Sequence, residues 1–270
     1  MTRTILKSRL LARLVLMIFI GMGCTVHAYA FFPNSTKQTN TTSNSAQVKP
    51  KQNQEIIVLI HGLMRTSLSM WPLKIYLKRQ GYLVYSYSYP SAKYSIQEHG
   101  IYLNRFIKNL LEKNPGVKIN FITHSLGGII TREALSSFSP KQLKNIGSLI
   151  MLAPPNQGSK LAKLSTEIFP MLTSPIKPLV ELSSDHTSYV HHVSVPNIKI
   201  GIIAGRYDAK VPPEFARLEG QNEPMIVDSN HTFIMNNAKT RQLIMSFLKQ
   251  GTFAPVAERH SKKKWMKIFI

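Results

Sequence analysis

"KINFITHSLGGII", residues 118–130, is the stretch that decides the fold. It begins as an apolar run of strand length and reaches Ser125 between small residues. The glycines are followed by apolar residues that suit one face of a helix: Ile129, Ile130, Ala134, Leu135 and Phe138. The pattern predicts a strand, a sharp turn at Ser125 and a helix.

Residues 123–127 around Ser125 are a relaxed form of the motif G-x-S-x-G. In that motif a tight turn lifts a nucleophilic serine hydroxyl above the carboxyl edge of a sheet. The alternative is that the stretch merely ends a strand and begins a helix. Glycine is usual two residues before the serine, and here Thr123 brings a branched side chain to a crowded place. We therefore expect the turn to form only if the neighbours of Thr123 leave room for it.

A serine nucleophile needs a general base. The adjacent His124 is not expected to be that base, because a tight turn points consecutive side chains in different directions. The base is expected on a loop after the last strand, where His231 follows the short predicted strand 225–228. The alternative for His231 is an ordinary histidine of a surface loop.

The third member of such a site is a carboxylate, and the chain has three aspartates: Asp185, Asp208 and Asp228. Asp185 lies in a predicted insertion, and Asp228 is too close to His231 in sequence to orient it easily. Asp208 follows the penultimate predicted strand, where a carboxylate can orient the imidazole and stabilise its charged form. The alternative is an aspartate of an ordinary turn. The predicted catalytic residues are therefore Ser125, Asp208 and His231.

The oxyanion of an acyl-transfer reaction needs backbone N–H donors. One donor is expected to be the amide of Leu126, directly after the nucleophile. The second is expected from the loop that follows the first strand, and the amide of Leu63 is the candidate.

Six apolar runs of strand length alternate with helical segments. Strands are predicted at 55–62, 82–89, 117–123, 146–153, 198–204 and 225–228, and helices at 67–80, 95–113, 238–250 and after Ser125. This alternation predicts an α/β fold with a mostly parallel central sheet and helices on both faces.

The chain divides into segments of different composition. Residues 1–30 have a basic start, a short apolar stretch and a cleavage site ending at Ala30, which is typical of a signal peptide. A lipoprotein signal ending at Cys24 is the alternative. The predicted organisation is a disordered polar linker at 31–54, a catalytic domain at 55–251 and a basic-aromatic tail at 252–270. Residues 157–196 are a candidate cap over the site or, alternatively, an ordinary crossover.

The charge and cysteine content restrict the partners. The full chain carries a net charge of +21, and removal of the four basic residues in 1–30 leaves +17. Such a surface attracts anions, and for an exported protein an anionic membrane surface is the expected partner, through the basic face and the tail. The alternatives are that the charge reflects a generally basic proteome and that the tail is a frayed basic end. No recognised motif supports nucleic-acid binding. The single cysteine, Cys24, lies in the predicted signal peptide, so no disulfide or Cys-ligated metal is expected in the mature chain.

Five motifs in order carry a resemblance to a known family: "VLIHGLMRT" at 58–66, "THSLGG" at 123–128, "LAPPNQGS" at 152–159, "GRYDAKVPP" at 205–213 and "NHTFIMNN" at 230–237. Together they resemble bacterial α/β-hydrolases of the lipase and serine-esterase group, over about residues 55–251. The resemblance implies the α/β-hydrolase fold, an acyl-enzyme at Ser125 with Asp208 and His231 as partners, and no cofactor.

The sequence thus favours an exported, periplasmic or secreted, hydrolase of acyl or lipid esters. Two alternatives stay open. The same three residues could serve an acyltransferase, a thioesterase or an amidase. A non-catalytic module could also use the fold as a cationic binding surface, which predicts that the three residues are incomplete or misaligned.

Overall fold

The computed structural model describes residues 55–168 and 173–253 of the 270-residue chain. The predicted signal peptide 1–30, the predicted linker 31–54 and positions 254–270 of the predicted tail lie outside the described residues. In the described part of the chain, no helix has both the length and the apolar character needed to cross a membrane.

One sheet of six parallel strands forms the centre of the molecule, in the order β2-β1-β3-β4-β5-β6. Its strands are β1 Ile56–Ile60, β2 Leu83–Tyr87, β3 Ile119–His124, β4 Ile146–Leu152, β5 Lys199–Gly205 and β6 Met225–Val227. The inner strands are apolar on both faces, as expected for a parallel sheet covered on each side. Because all strands run the same way, their carboxyl ends meet at one edge.

Helices cover both faces of this sheet. They are α1 Trp71–Arg79, α2 Ile96–Lys113, α3 Leu126–Ser136, α4 Pro140–Leu143, α5 Lys160–Ile168, α6 Lys177–Glu181 and α7 Ala238–Gln250. Leu103 of α2 and Ile130 of α3 pack in the core on one face. Leu77 of α1 and Phe247 of α7 pack in a second core on the other. The predicted fold class, with a parallel sheet between two helical layers, is confirmed.

The helix predicted over 67–80 is wrong in its first turn. Residues Ser67–Met70 form a 3₁₀ turn, and the α-helix begins at Trp71 with Pro72 in its first turn. Proline has no N–H and clashes with the preceding turn, so it is accommodated at the start of an α-helix and not in its interior. The helix predicted from Ser95 does begin there: the Ser95 hydroxyl accepts from the Glu98 amide at 3.1 Å, and the Glu98 carboxylate accepts from the Ser95 amide at 2.8 Å.

Residues 157–196 include α5, α6 and a 3₁₀ turn at Tyr189–His192. Both ends of this segment are held by Arg132 of α3. The guanidinium donates to Oδ1 of Asn156 at 2.9 Å, and it also donates to the carbonyls of Val193 and Ser194. The helix that begins at the predicted nucleophile therefore also fixes the ends of the segment. That the segment acts as a cap stays a prediction.

Candidate active site

Ser125 occupies the sharp turn between β3 and α3. Its backbone has φ 51° and ψ −125°, a conformation that L-residues rarely adopt, and its amide donates to the carbonyl of Leu152 at 2.9 Å. Among the described residues, three that are not glycine have positive φ, and each one lies at the carboxyl edge of the sheet: Met64, Ser125 and Ala153. Such a backbone costs about 1–3 kcal/mol at each position and concentrates at functional sites.

Glycines permit the close approach that this turn requires. A Cβ at Gly62 would lie 3.0 Å from Cβ of Ser125 and 3.0 Å from Nδ1 of His124. A Cβ at Gly127 would lie 2.7 Å from the carbonyl oxygens of Ile60 and His61. The end of β1 therefore packs directly against the first turn of α3.

Thr123 is fully buried, and the neighbouring Gly128 provides the room it needs. A Cβ at Gly128 would lie 3.2 Å from Oγ1 of Thr123 and 3.0 Å from Sδ of Met151. The Thr123 hydroxyl donates to the carbonyl of Ile150 over a long 3.5 Å. The second glycine after the serine thus compensates for the missing glycine before it.

Replacement of Gly127 by alanine is expected to lower the free energy of unfolding by about 2–3 kcal/mol, because the new methyl group meets backbone oxygens that cannot move aside. Gly128→Ala is the matched control in the same helix turn. Its Cβ meets side-chain atoms and not the backbone, namely the flexible side chain of Met151 and the hydroxyl of Thr123, and should cost less. Chemical denaturation of both variants measures the difference, and equal losses would contradict the close backbone approach.

Asp208 and His231 form a buried pair. Nδ1 of His231 donates to Oδ2 of Asp208 at 2.7 Å, and the aspartate side chain is 0% exposed. Oδ1 of the same carboxylate accepts from the amides of Lys210 at 2.9 Å and Val211 at 2.8 Å. Every direction of the carboxylate is therefore fixed, and the imidazole is held with Nε2 free for chemistry.

The two other aspartates have partners elsewhere. Asp228 accepts from Nε of Arg206 at 2.7 Å on the surface. Asp185 accepts from the ammonium of Lys163 and from the hydroxyl of Ser183. Of the three, Asp208 is the aspartate that the fold brings to His231, as the position of its strand predicted.

His124 has a contact that the sequence did not reveal. Its Nε2 donates to the backbone carbonyl of His231 at 2.9 Å, and the two rings lie 4.7 Å apart. Its Nδ1 is buried without a hydrogen-bond partner, as suits a neutral imidazole. Burial holds the pKa of His124 well below its usual value, and the nearby His231 lowers it further. His124 therefore holds the loop that carries His231 and does not compete with it as a base.

A cavity of about 120 Å³ opens where these elements meet, and both Ser125 and His231 line it. Its apolar wall comes mainly from the segment 157–196: Leu161, Ala162, Ile176, Leu179 and Leu182. Pro155 and Val211 add to it from the ends of β4 and β5. The site therefore brings Ser125 and His231 to an apolar surface suited to a hydrocarbon chain.

The loop after β1 forms one rim of the cavity. Residues 62–65 make a turn in which the Arg65 amide donates to the Gly62 carbonyl at 3.3 Å, with Met64 at φ 52°. His61 supports this loop, because its Nδ1 lies 3.0 Å from the Gly62 carbonyl oxygen and its own carbonyl accepts from the Tyr89 hydroxyl at 2.8 Å. Leu63 lines the cavity.

Leu126, the other predicted oxyanion donor, is the first residue of α3. Amides in the first turn of a helix have no carbonyl of a preceding turn to bond, so they are available to a ligand. They also lie at the positive end of the helix dipole, where negative charge is stabilised.

Two cations also line the cavity, Arg65 and Lys210. Nη2 of Arg65 donates to the hydroxyl of Thr232 at 3.0 Å, next to His231. Burial lowers the pKa of Lys210, and the positive charge of Arg65 lowers it further. Burial also lowers the pKa of Arg65. Neither residue was among the sequence predictions. Their position after two different strands was visible, but their common cavity depends on how the loops fold.

The described residues contain no cluster of three or more His, Cys, Asp or Glu side chains that could hold a metal ion. What the arrangement can do chemically follows from a hydroxyl and an imidazole oriented by a carboxylate at one cavity, with the amides of Leu63 and Leu126 as the predicted oxyanion donors. These are the groups required for nucleophilic acyl transfer.

Comparison with known proteins supports the assignment of the fold. A sequence model described as the alpha/beta hydrolase fold matches residues 55–172. A comparison with curated protein sequences finds no match.

Several solved structures are similar to this chain. The mature lipase BlEst2 of Bacillus licheniformis has 19% identity and a TM-score of 0.61, over 74% of this chain and 94% of that one. Lipase B of Aspergillus fumigatus has 13% identity and a TM-score of 0.57, over 75% and 54% of the two chains. The metagenomic carboxyl esterase MGS0156 has 16% identity and a TM-score of 0.54, over 74% and 71%. With its sheet order, its turn at Ser125 and these matches, the chain has the α/β-hydrolase fold.

Proposed function

We propose that this chain is a serine hydrolase that cleaves carboxylic esters of the acyl or lipid type. The observation that carries the proposal is the arrangement of Asp208 and His231, whose imidazole lines the same apolar cavity as Ser125. The lipases and the esterase that share the fold support ester hydrolysis as the reaction.

The reaction proceeds through an acyl-enzyme. Nε2 of His231 takes the proton of the Ser125 hydroxyl while Oγ attacks the ester carbonyl. The tetrahedral oxyanion accepts hydrogen bonds from the amides of Leu63 and Leu126. When the carbon–oxygen bond to the alcohol breaks, the proton on His231 passes to the departing alcohol. Water then gives a proton to His231, attacks the acyl carbon and displaces Ser125, which takes the proton back.

The substrate is an ester with an apolar acyl chain. The wall contributed by α5 and α6 is apolar, and Met64 extends it to the surface, where this side chain is 37% exposed. A charged or hydrated acyl group would leave polar atoms unpaired against this wall, at a cost of about 1–3 kcal/mol for each group.

We further propose that the protein is exported to the periplasm or secreted, with residues 1–30 as its signal peptide. An anionic membrane surface is the proposed partner. The net charge of +17 after removal of residues 1–30 supports this, because it raises the local concentration of the protein at anionic lipid.

Hydrolysis of p-nitrophenyl esters of increasing chain length tests the function. The purified protein is expected to release p-nitrophenol, with kcat/KM greater for butyrate and hexanoate than for acetate because the cavity wall is apolar. An added alcohol acceptor distinguishes a transferase, which would form the ester of that alcohol in place of the free acid. Release of no acid and no new ester from any member of the series would contradict the proposal.

A further inference from the structure

The two cations of the cavity approach the predicted nucleophile from opposite directions along the sheet. Arg65 follows β1, and Lys210 follows β5, whereas Ser125 follows β3, which lies between them in the strand order. A ligand group beside the serine can therefore contact both charges. This arrangement is not required for ester hydrolysis itself, whose proton transfers use His231.

Nothing in the described cavity wall compensates these charges. None of the described residues that line it is an aspartate or a glutamate. Burial and Arg65 lower the pKa of Lys210 and the negative charge of Asp208 raises it, but both oxygens of that carboxylate are already hydrogen-bonded, to His231 and to two backbone amides. The described hydrogen bond of Arg65 goes to a neutral hydroxyl, that of Thr232. Two half-buried positive charges thus face one cavity, and neither forms a described ion pair with a carboxylate.

Four described surface cations differ in this respect. Lys163, Lys177, Arg206 and Arg217 each lie within 4.0 Å of a carboxylate on the surface. Bringing two like charges into a partly buried space is unfavourable unless an anion joins them there. Two cations that line one cavity with no acidic side chain in its described wall therefore indicate an anionic ligand.

We propose that Arg65 and Lys210 bind an anionic oxygen group of the substrate, so that the preferred esters carry a phosphate or a carboxylate close to the bond that is cleaved. This inference rests on the proposed ester hydrolysis and adds the substrate class to it. The apolar wall takes the acyl chain, and the two cations take the anion of the alcohol part. Arginine and lysine are the side chains that proteins use for such groups.

Matched pairs of water-soluble substrates test the proposal. Dihexanoylphosphatidylglycerol has a phosphate that dihexanoylglycerol lacks, and O-hexanoyl lactate has a carboxylate where O-hexanoyl lactamide has a neutral amide. The measured quantity is the ratio of kcat/KM for the anionic member to that for the neutral one. Lys210→Met is expected to lower this ratio about tenfold. The pair in which it falls identifies phosphate or carboxylate as the bound group.

Lys118→Met is the matched control for charge. Lys118 is exposed and precedes β3 at the opposite edge of the sheet. Its removal takes away the same charge far from the cavity and should leave both ratios unchanged. Equal effects of Lys118→Met and Lys210→Met would mean general attraction by the basic surface and would overturn the proposal. The proposal would also be overturned if Lys210→Met left both kcat/KM ratios unchanged.

Arg65 needs a separate control, because it also contacts the loop that carries His231. Thr232→Val removes the hydrogen bond and keeps the guanidinium. Arg65→Met is expected to lower the ratio about tenfold, and Thr232→Val is expected to leave it within about twofold of the parent. A ratio that falls equally in both variants would show that Arg65 acts by positioning the loop and not by binding the anion.

Direct binding separates this inference from the proposed function. In the Ser125→Ala background, calorimetry measures the affinity for the anionic member of each pair without hydrolysis. The affinity should fall about tenfold when Lys210→Met is added. If binding depends on Lys210 although the parent hydrolyses no ester, the anion site stands and the hydrolase fails. If esters are hydrolysed, but neither the affinity nor the kcat/KM ratios change in Lys210→Met, the proposed anion site is overturned and the proposed hydrolase activity is not.

Discussion

Replacement of Ser125 by alanine is expected to abolish labelling by a fluorophosphonate probe and to lower ester hydrolysis by about 10⁵–10⁶-fold. The probe phosphonylates only a serine that a base has activated, so labelling reports the nucleophile without knowledge of the substrate. His231→Ala should lose labelling as well, because Nε2 of His231 is the proposed acceptor of the serine proton. Mass spectrometry of the labelled peptide identifies the modified residue.

Ser165→Ala is the control for this experiment, because Ser165 lines the same cavity on α5. It should label as the parent does. A folded parent that fails to label, or a Ser125→Ala variant that labels fully, would contradict the proposed nucleophile. In that case the cationic surface would become the feature of the protein to explain.

Replacement of Asp208 by asparagine is expected to lower kcat about 10⁴-fold. The reason lies in the two amides that donate to Oδ1, those of Lys210 and Val211. They require an oxygen at that position, so the NH₂ group of asparagine must take the place of Oδ2 and donate to Nδ1 of His231. The imidazole proton then moves to Nε2, where it can no longer accept the proton of Ser125.

Asp228→Asn is the matched control, since Asp228 is exposed and pairs with Arg206 away from the cavity. Its kcat should stay within about twofold of the parent, as for most surface substitutions. Nitrogen NMR of the imidazole gives an independent readout, because the two tautomers of His231 have different chemical shifts. Unchanged kcat and an unchanged tautomer in Asp208→Asn would contradict the role proposed for this carboxylate.

The sequence predicted those parts of the protein that depend on local pattern. The alternation of apolar strands and helices was sufficient for the parallel sheet. In such a sheet, residues just past the strands meet at one edge, so Asp208 and His231 could be paired from their positions alone. The pairing of Asp208 with His231 is seen in the structure, whereas the catalytic roles of both residues stay predictions.

Other parts depend on packing between distant segments. The contact of His124 with the carbonyl of His231 joins residues more than a hundred positions apart, and no local pattern indicates it. Arg65 reaches Thr232 across a similar distance. The room for Thr123 comes from Gly128 and from the flexible side chain of Met151 on the neighbouring strand. The motif G-x-S-x-G specifies a glycine before the serine and gives no information about these two neighbours.

The helical segment predicted over 67–80 shows that some local information was not used. The prediction did not separate the 3₁₀ turn at Ser67–Met70 from the α-helix, although Pro72 indicates that the α-helix starts at Trp71. Whether the segment 157–196 is a cap or an ordinary crossover could not be predicted from the sequence, for another reason. Its helices are short, and their position depends on contacts with distant residues, such as those of Arg132 at the ends of the segment and that of Glu181 with the Ile96 amide, and not on their own periodicity.

The hydrogen bonds of Arg132 affect which parts of the sequence can change without loss of the site. Because one guanidinium on α3 holds Asn156 before the segment and Val193 near its far end, the segment between them can change while its points of attachment stay fixed. Grafting the equivalent segment of another hydrolase between these two points would exchange the acyl-chain wall and keep the reactive groups. Under the proposed function, such a graft would change the selectivity for the acyl chain and leave Ser125, Asp208 and His231 in place.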